Sequence, residues 1–327
     1  MRAADPGRIE SIDKYRGLSI MLMVLANFLA DVRSVPAWLA HAPDVGLTVI
    51  DLIAPFFIFA IGLTYGPSYR RRLSRDGLGR TWGHFLRRSL ALIGIGAIIS
   101  AGEVLVGENA GRLSWGVLQA LGAASIVTLA LISLAPWARA FAGLVLLGAY
   151  QVLLNWSWLP TVMSSGHGGL EGSLAWAAML VLGTAIADLW HRRAERKSAL
   201  LWTSLAALGA GAALAYFLPT LAPISKNRVS ASYVLVSLGA SGLLFACVSL
   251  LVDRFRLRAG FLSWWGANPL LLYVMHYLLL APFVLPGIPR WHAEAPVPLV
   301  IAQAAFIVAL LGLFAWLLAR RGKRISL

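Results

Sequence analysis

The sequence contains a single cysteine, Cys247, among 327 residues. One thiol excludes an internal disulfide, a cysteine-rich zinc site and an iron–sulfur cluster, and we expect no metal in this protein. Charged residues are also scarce, at 13%, whereas 59% of the residues are hydrophobic and the mean hydropathy is +0.76. This balance lies well outside the range of a soluble globular domain. The composition therefore indicates a polytopic membrane protein.

Acidic residues are few as well, because 14 Asp and Glu stand against 28 Lys and Arg, which gives a formal net charge of +14. In a soluble protein such an excess of positive charge would suggest a nucleic-acid partner. Here the basic residues lie in short clusters between apolar runs, where they set the orientation of membrane segments. We therefore expect no nucleic acid among the partners.

Apolar stretches of bilayer length recur along the whole chain. They lie near 17–33, 48–67, 87–106, 114–134, 140–159, 172–190, 198–218, 231–252, 262–284 and 298–319. Ten helices place both termini on one side, and only five of the 28 Lys and Arg fall on the other side, so the termini are expected to be cytoplasmic. The sequence thus predicts an all-α, polytopic integral membrane helical bundle of about ten transmembrane helices, forming a single domain over residues 1–327.

The N-terminus has a polar, basic lead before its first apolar stretch, as a secretory signal peptide does. The small-x-small pattern of a cleavage site is missing, because Phe28 stands two positions before Ala30. We therefore expect an uncleaved first helix.

An imidazole, that of His41, and a carboxylate, that of Asp51, lie near the start of the second apolar stretch, in the segment HAPDVGLTVIDLIAPFFIFAIG (41–62). Because an ionisable side chain at membrane depth is costly to desolvate, its presence there is a functional hypothesis. His41 is expected on the outer face, where it can take a proton from an amine or hydroxyl nucleophile or be acylated itself. The alternative is an interfacial histidine that is hydrogen-bonded to a loop.

Two further polar residues lie close to His41 in the predicted topology. Asp51 follows Thr48 in a Thr-x-x-Asp pattern that is close to a capping box, and its carboxylate can cap the helix, orient the imidazole, or do both. Asn27 interrupts the apolar first helix near its outer end. It can donate a hydrogen bond to a developing oxyanion on an acyl carbonyl, or it can form an interhelical hydrogen bond.

The ninth apolar stretch carries two polar candidates. Asn268 precedes Pro269, which is a helix-start signal, so capping is the leading interpretation of Asn268. His276 lies two turns deeper on roughly the same side of the helix. It is either a functional residue or a core histidine with satisfied hydrogen bonds.

Two basic groups are candidates for binding anionic or polar ligands. Lys226, Asn227 and Arg228 form a group on the predicted outer side, against the orientation tendency, where they contact either a ligand or solvent and lipid headgroups. Most cytoplasmic arginines are orientation signals, but one or two of them would clamp the phosphates of a nucleotide-bearing thioester. The residues in question are Arg70, Arg71, Arg72, Arg75, Arg80, Arg87 and Arg88, and the candidates for this role are Arg70, Arg87 and Arg88.

Six segments, in this order, resemble the heparan-α-glucosaminide N-acetyltransferase family of transmembrane acyltransferases. They are RIESIDKYRGLSIMLMVLAN (8–27), HAPDVGLTVIDLIAPFFIFAIG (41–62), GVLQALG (116–122), HGGLEGSLAWAAMLVLGTAIAD (167–188), PISKNRVSASYVLVSLG (223–239) and WGANPLLLYVMHYLL (265–279). Each segment is modest by itself, but the six together span almost the whole chain.

The resemblance implies acetyl transfer from cytosolic acetyl-CoA to an amino sugar on the far side of the membrane. In that family the catalytic histidine falls on His41, the motif asparagine on Asn27 and the acid of the second helix on Asp51. The family's Lys-Asn motif falls on Lys226 and Asn227, and its late Asn-Pro motif falls on Asn268 and Pro269. We therefore expect His41, Asp51 and Asn27 to be catalytic, and Lys226, Asn227, Asn268 and His276 to bind substrate.

The sequence departs from the family at two motif positions. Asp44 and Val45 stand where the family usually has Trp-Asn, so an aromatic surface that could stack on a sugar is absent there. Ala120 stands where the family usually has an arginine after GVLQ, which removes one cation from that position.

Two other functions remain open from the sequence alone. A transporter or channel for a polar solute would use Asp51, His41 and Lys226 along a translocation path. An O-acyltransferase of cell-surface polysaccharide would keep the chemistry and change the acceptor. We expect the protein to lie in a bacterial inner (plasma) membrane, with membrane lipid, acetyl-CoA and a glycan acceptor as partners, and a homodimer is left open.

Overall fold

The computed structural model describes residues 9–105, 113–192, 196–255 and 260–323, and these residues form helices and connecting loops, with no β-strand among them. The α-helices are α1 (Glu10–Leu29), α2 (Ile53–Asp76), α3 (Leu78–Leu105), α4 (Val117–Leu131), α5 (Pro136–Leu153), α6 (Leu159–Met163), α7 (Gly169–Arg192), α8 (Arg196–Phe217), α9 (Ala231–Asp253), α10 (Gly260–Ala267), α11 (Pro269–Val284) and α12 (Val297–Arg320). The prediction of an all-α membrane protein is confirmed.

Seven helical segments of the described chain are long and apolar enough to cross a membrane, or eight if α10 and α11 together form one span. Every one of the ten predicted stretches overlaps a helix. The two that do not meet this criterion are α1, which carries charged residues in its first two turns, and α4, which has 15 residues. The number of ten spans and the cytoplasmic position of the termini stay predictions.

The stretch predicted as one helix over 262–284 is instead two helices, α10 and α11, which meet at an angle of 89°. The break lies at Asn268, whose backbone has φ −133° and ψ 56°, outside the helical region. Pro269 explains it, because a proline has no N–H to donate into the preceding turn and its ring disfavours helical geometry at the residue before it. The Asn-Pro pair therefore bends the chain inside the predicted span.

The chain divides into two compact units, and each is discontinuous in sequence. The first unit comprises the described parts of Met1–His41, Thr48–Ile53 and Leu244–Ser326. The second unit comprises Ala42–Leu47 and the described parts of Ala54–Leu243.

In the first unit, α1 packs directly against α10 through two glycines. A Cβ atom at Gly17 would lie 1.9 Å from the carbonyl oxygen of Leu262, and one at Gly266 would lie 2.0 Å from that of Asp13. Only residues without a side chain permit this backbone approach, which is a common way for membrane helices to associate. α1 also contacts α11 and α12, so the unit is a small bundle around the first helix.

In the second unit, α7 is the central helix and packs against α4, α5 and α8. Its residues from Ala175 to Val181 are buried. A helix that is apolar on all sides is expected at such a central position. Aromatic side chains of α2 and α3 form a further buried cluster with α4, which contains Tyr65, Tyr69 and Phe85.

Candidate active site

His41 and Asp51 form a hydrogen-bonded pair in the first unit. The Nδ1 atom of His41 lies 2.7 Å from Oδ1 of Asp51. The carboxylate is completely buried, whereas 39% of the histidine side chain is exposed. The pair therefore joins a fixed, buried anion to an imidazole that a ligand can reach.

Thr48 holds the other oxygen of the same carboxylate. The backbone N–H of Thr48 donates to Oδ2 of Asp51 at 3.0 Å, and the Thr48 hydroxyl lies 3.0 Å from that oxygen and 2.7 Å from the carbonyl oxygen of Ala40. This contact between the acid and the N–H three residues before it is the acidic half of a capping box, at the short 3₁₀ turn Ile50–Leu52 that leads into α2. Asp51 thus caps the chain at the start of this helix and contacts His41 at the same time.

These contacts fix the tautomer of the imidazole. A carboxylate oxygen only accepts hydrogen bonds, so the proton of a neutral His41 ring lies on Nδ1 and the lone pair lies on Nε2. The same arrangement of imidazole and buried carboxylate orients the base in catalytic triads and stabilises the imidazolium that forms. His41 is therefore set up chemically to accept a proton at Nε2.

Asn27 lies in the same unit and contacts His276. Its Nδ2 atom is 2.8 Å from Nε2 of the histidine, which is completely buried on α11. The Nδ1 atom of His276 donates to the carbonyl oxygen of Tyr273. Both sequence candidates are thereby brought together as an interhelical pair between α1 and α11.

Asn268 occupies the N-cap position of α11, as its position before proline predicted, but its side chain makes no capping hydrogen bond. Its amide donates to the carbonyl oxygen of Lys323 at 3.3 Å and is buried. The side chain therefore ties the bend to the segment that follows α12.

The other predicted substrate-binding residues belong to the second unit, where two loops are bound to each other. Asn227 donates to the carbonyl oxygen of Pro43 at 2.6 Å. The backbone N–H of Gly46 donates to the carbonyl oxygen of Ile224 at 2.8 Å. The loop that contains Lys226 and Asn227 is therefore held to the residues that follow His41 in the sequence.

An ion pair strengthens the same loop contact. The Nε atom of Arg228 lies 3.0 and 3.1 Å from the two carboxylate oxygens of Asp44, and the hydroxyl of Ser225 donates to Oδ1 at 2.9 Å. These hydrogen bonds from Arg228, against the opposing effect of burial, hold the pKa of the Asp44 carboxyl below its ordinary value. Hydrogen bonding to Asp44 likewise raises the pKa of Arg228. Asp44 stands at one of the two positions where the sequence departs from the family pattern. No local sequence pattern predicted its contact with Arg228.

The three predicted phosphate-binding arginines are placed differently from one another. Arg70 donates through both terminal nitrogens to Asp188, at 2.8 and 3.0 Å, and Arg139 donates to the same carboxylate. Arg87 and Arg88 are exposed on α3. The guanidinium of Arg70 is therefore already paired with a protein carboxylate, while Arg87 and Arg88 are exposed residues of α3.

Asp188 and Arg139 form a buried ion pair that no sequence motif predicted. Both side chains are buried, and the arginine also donates to the hydroxyl of Thr184 at 3.1 Å. Arg139 is 49 residues from Asp188 in the sequence, so no local spacing could have revealed the pair.

The fold and the pair of His41 and Asp51 together define a class: a polytopic helical membrane protein that carries a histidine oriented by a buried carboxylate. The family model for "Heparan-alpha-glucosaminide N-acetyltransferase, catalytic" matches residues 8–219, which is more than half of the chain. The chain belongs to this family.

Two relatives carry the name heparan-alpha-glucosaminide N-acetyltransferase. The human protein is 36% identical over 127 residues, and the protein of Mus musculus is 34% identical over 128 residues. Each match covers 37% of this chain and 18% of the relative. The matched region is therefore less than a fifth of the length of these relatives.

Proposed function

We propose that this protein transfers an acetyl group from cytosolic acetyl-CoA to an amino sugar of the glucosamine type on the opposite side of the membrane. The observation that carries the proposal is the hydrogen bond between His41 and Asp51, which assigns the proton to Nδ1 and the lone pair to Nε2. Membership of the family supports the reaction type.

In this mechanism His41 is the general base. Its Nε2 atom takes a proton from the acceptor amine as the amine nitrogen forms a bond with the carbonyl carbon of the thioester. The C–S bond then breaks, and the CoA thiolate leaves and recovers the proton from the imidazolium. The products are the N-acetylated sugar and free CoA, so no group remains on the protein.

Asp51 keeps the ring in position and lowers the energy of the transient imidazolium. Its carboxylate is buried and is fixed by Thr48, so little reorganisation is needed when the charge appears. Asn27 has the complementary role, since an amide N–H can donate to the thioester carbonyl oxygen on which negative charge develops.

The phosphates of acetyl-CoA bind to Arg87 and Arg88, two exposed residues whose guanidinium groups have the fork of donors that suits phosphate oxygens. Arg70 contributes through its charge, because its fork of donors is engaged by Asp188. Lys226 contacts a polar or anionic group of the acceptor. We further propose that the protein lies in a bacterial inner membrane.

Purified protein in proteoliposomes tests this function. Acetyl-CoA is supplied outside, glucosamine is enclosed inside, and both CoA thiol release and N-acetylglucosamine are measured. We expect both products in equal amounts with the wild-type chain and neither with His41→Ala. His84→Ala, a histidine substitution on α3, is the matched control and keeps the activity.

The same assay separates the competing functions. A transporter would move glucosamine or another polar solute and leave the thioester intact. An O-acyltransferase would consume acetyl-CoA when the enclosed acceptor is a sugar whose amine is already acetylated. Either of these two results would overturn the proposed function.

A further inference from the structure

The hydrogen bonds of His276 determine which atom it offers to Asn27. Its Nδ1 atom donates to the carbonyl oxygen of Tyr273, and a carbonyl oxygen only accepts. The proton of a neutral ring is therefore on Nδ1, and Nε2 is an acceptor. At 2.8 Å from that atom, the Asn27 side chain must present its NH₂ group rather than its oxygen.

The ring of His276 has little freedom to leave this position. It is completely buried, and the rings of Tyr273 and Tyr277 lie 4.8 and 4.2 Å from it between centroids. The two tyrosine hydroxyl oxygens lie 3.2 Å apart. A ring that is packed in this way is a rigid acceptor for its partner.

The backbone on the Asn27 side is also fixed. Phe28, the next residue, is buried, and its ring packs edge-on against Phe283 of α11 at 5.9 Å and against His292 at 5.4 Å. The His292 ring also hydrogen-bonds to the carbonyl oxygen of Phe28 at 3.1 Å. The C-terminal end of α1 is therefore attached to α11 and to the loop that follows it.

An asparagine NH₂ group has two N–H bonds, and the contact with His276 uses one of them. We propose that His276 is a positioning residue, which holds the amide of Asn27 so that its second N–H donates to the acyl carbonyl oxygen. This inference rests on the proposed function and replaces direct substrate binding as the role of His276. Without the histidine, the amide is free to rotate and to present its oxygen, which would repel the developing oxyanion.

A double-mutant cycle tests the inference, because a residue that acts only through another has no effect once its partner is gone. The variants are Asn27→Ala, His276→Leu and the double variant, all assayed for acetyl transfer. We expect Asn27→Ala to lower kcat by about 10²-fold, as for loss of an oxyanion donor. His276→Leu lowers kcat by roughly tenfold or more with little change in KM. The kcat of the double variant equals that of Asn27→Ala within about twofold.

His276→Gln is the conservative comparison, because its side-chain oxygen can accept from Asn27, and we expect it to restore part of the kcat lost in His276→Leu. Multiplicative losses in the double variant would overturn the inference. So would a His276→Leu defect that appears in KM alone.

A readout that needs no activity comes from the ¹⁵N shifts of histidine-labelled protein, with His276 identified by its absence in His276→Leu. We expect a protonated Nδ1 and an Nε2 shift that changes in Asn27→Ala. A ring protonated on Nε2 would contradict the inference whatever the enzyme assay gives. If the wild-type chain transfers no acetyl group at all while the ring has the expected tautomer, the proposed function fails and the hydrogen-bond geometry stands.

Discussion

The buried carboxylate of Asp51 accepts a hydrogen bond from Nδ1 of His41 at 2.7 Å. The two residues are ten positions apart in the sequence, and the 3₁₀ turn before α2 places the acid. One residue therefore serves both the start of a helix and the orientation of an imidazole. The account of function depends on this dual use.

Asp51→Asn separates the charge of the acid from its shape. An amide cannot stabilise an imidazolium, and it can present its single oxygen either to His41 or to Thr48. We expect kcat to fall by about 10²–10⁴-fold, since the wrong tautomer becomes accessible. Initial rates in proteoliposomes measure the effect, and a rate within twofold of the wild type would show that the carboxylate has no catalytic role.

Thr48→Val is the matched control for that experiment, because it removes the hydroxyl near Asp51 and leaves the backbone N–H in place. We expect a stability loss of about 1 kcal/mol from the lost hydrogen bond. Its kcat should change much less than in Asp51→Asn, and an equal loss would assign the effect to helix capping.

The ion pair of Asp44 and Arg228 gives the loop contact a defined pH dependence. The lowered pKa of the Asp44 carboxyl means that its contribution to folding stability is complete above the ordinary value of 3.8 and is lost as the pH falls through the lower folded value. Asp44→Asn should therefore destabilise the protein at pH 7, by about 1 kcal/mol for a pair that is partly exposed. The difference in Tm from the wild type should be constant between pH 7 and pH 5 and should shrink below about pH 4.

Thermal unfolding in detergent at several pH values measures this dependence. The double variant of Asp44→Asn with Arg228→Gln should be no less stable than Asp44→Asn, because each substitution removes the same interaction. Additive losses would show that the two residues stabilise the loops independently.

Asp188→Asn is expected to be severe, because it leaves the buried Arg139 without its counter-ion. Removing one partner of a buried ion pair costs about 3–5 kcal/mol. Arg70→Gln should cost much less, since 43% of the Arg70 side chain is exposed and Arg139 still compensates the acid. The yield of folded protein and the Tm in detergent measure the two stability losses. A larger loss of stability for Arg70→Gln than for Asp188→Asn would contradict the prediction.

The close approach of α1 and α10 predicts a strong position dependence of glycine replacement. Gly266→Ala places a Cβ atom 2.0 Å from the carbonyl oxygen of Asp13, so the helices must separate, at a cost of about 1–3 kcal/mol. Gly94→Ala on α3 is the control, because no atom outside its own helix lies within 4 Å of the added Cβ, and alanine favours the helix. Equal Tm changes for both variants would contradict the packing argument.

The sequence predicted the parts of this structure that depend on local pattern. Hydropathy located the helices, and the contact of Asp51 with Thr48 followed from a spacing of three residues. The contact of Asn27 with His276 joins residues 249 positions apart, and that of Asp44 with Arg228 joins residues 184 apart. No local periodicity encodes such pairs, because they depend on which helices and loops become neighbours.

The bend at Asn268 shows how a local signal can be recognised and still be placed wrongly. The Asn-Pro pair does begin a helix, as its sequence predicts, yet the apolar composition on both sides of it predicts one continuous span over 262–284. Hydropathy is insensitive to the direction of the chain, whereas the missing N–H of Pro269 acts on the backbone. A rule that breaks any apolar stretch at Asn-Pro would have predicted α10 and α11.

A structure with a bound, non-reactive acetyl-CoA analogue measures the central claim most directly, through the distance from Nε2 of His41 to the carbonyl carbon of the ligand. We predict about 6 Å, since the acceptor nitrogen lies between them, about 3 Å from each. An analogue bound with its carbonyl carbon more than about 10 Å from Nε2, too far for a single nitrogen to bridge, would contradict general-base catalysis by His41.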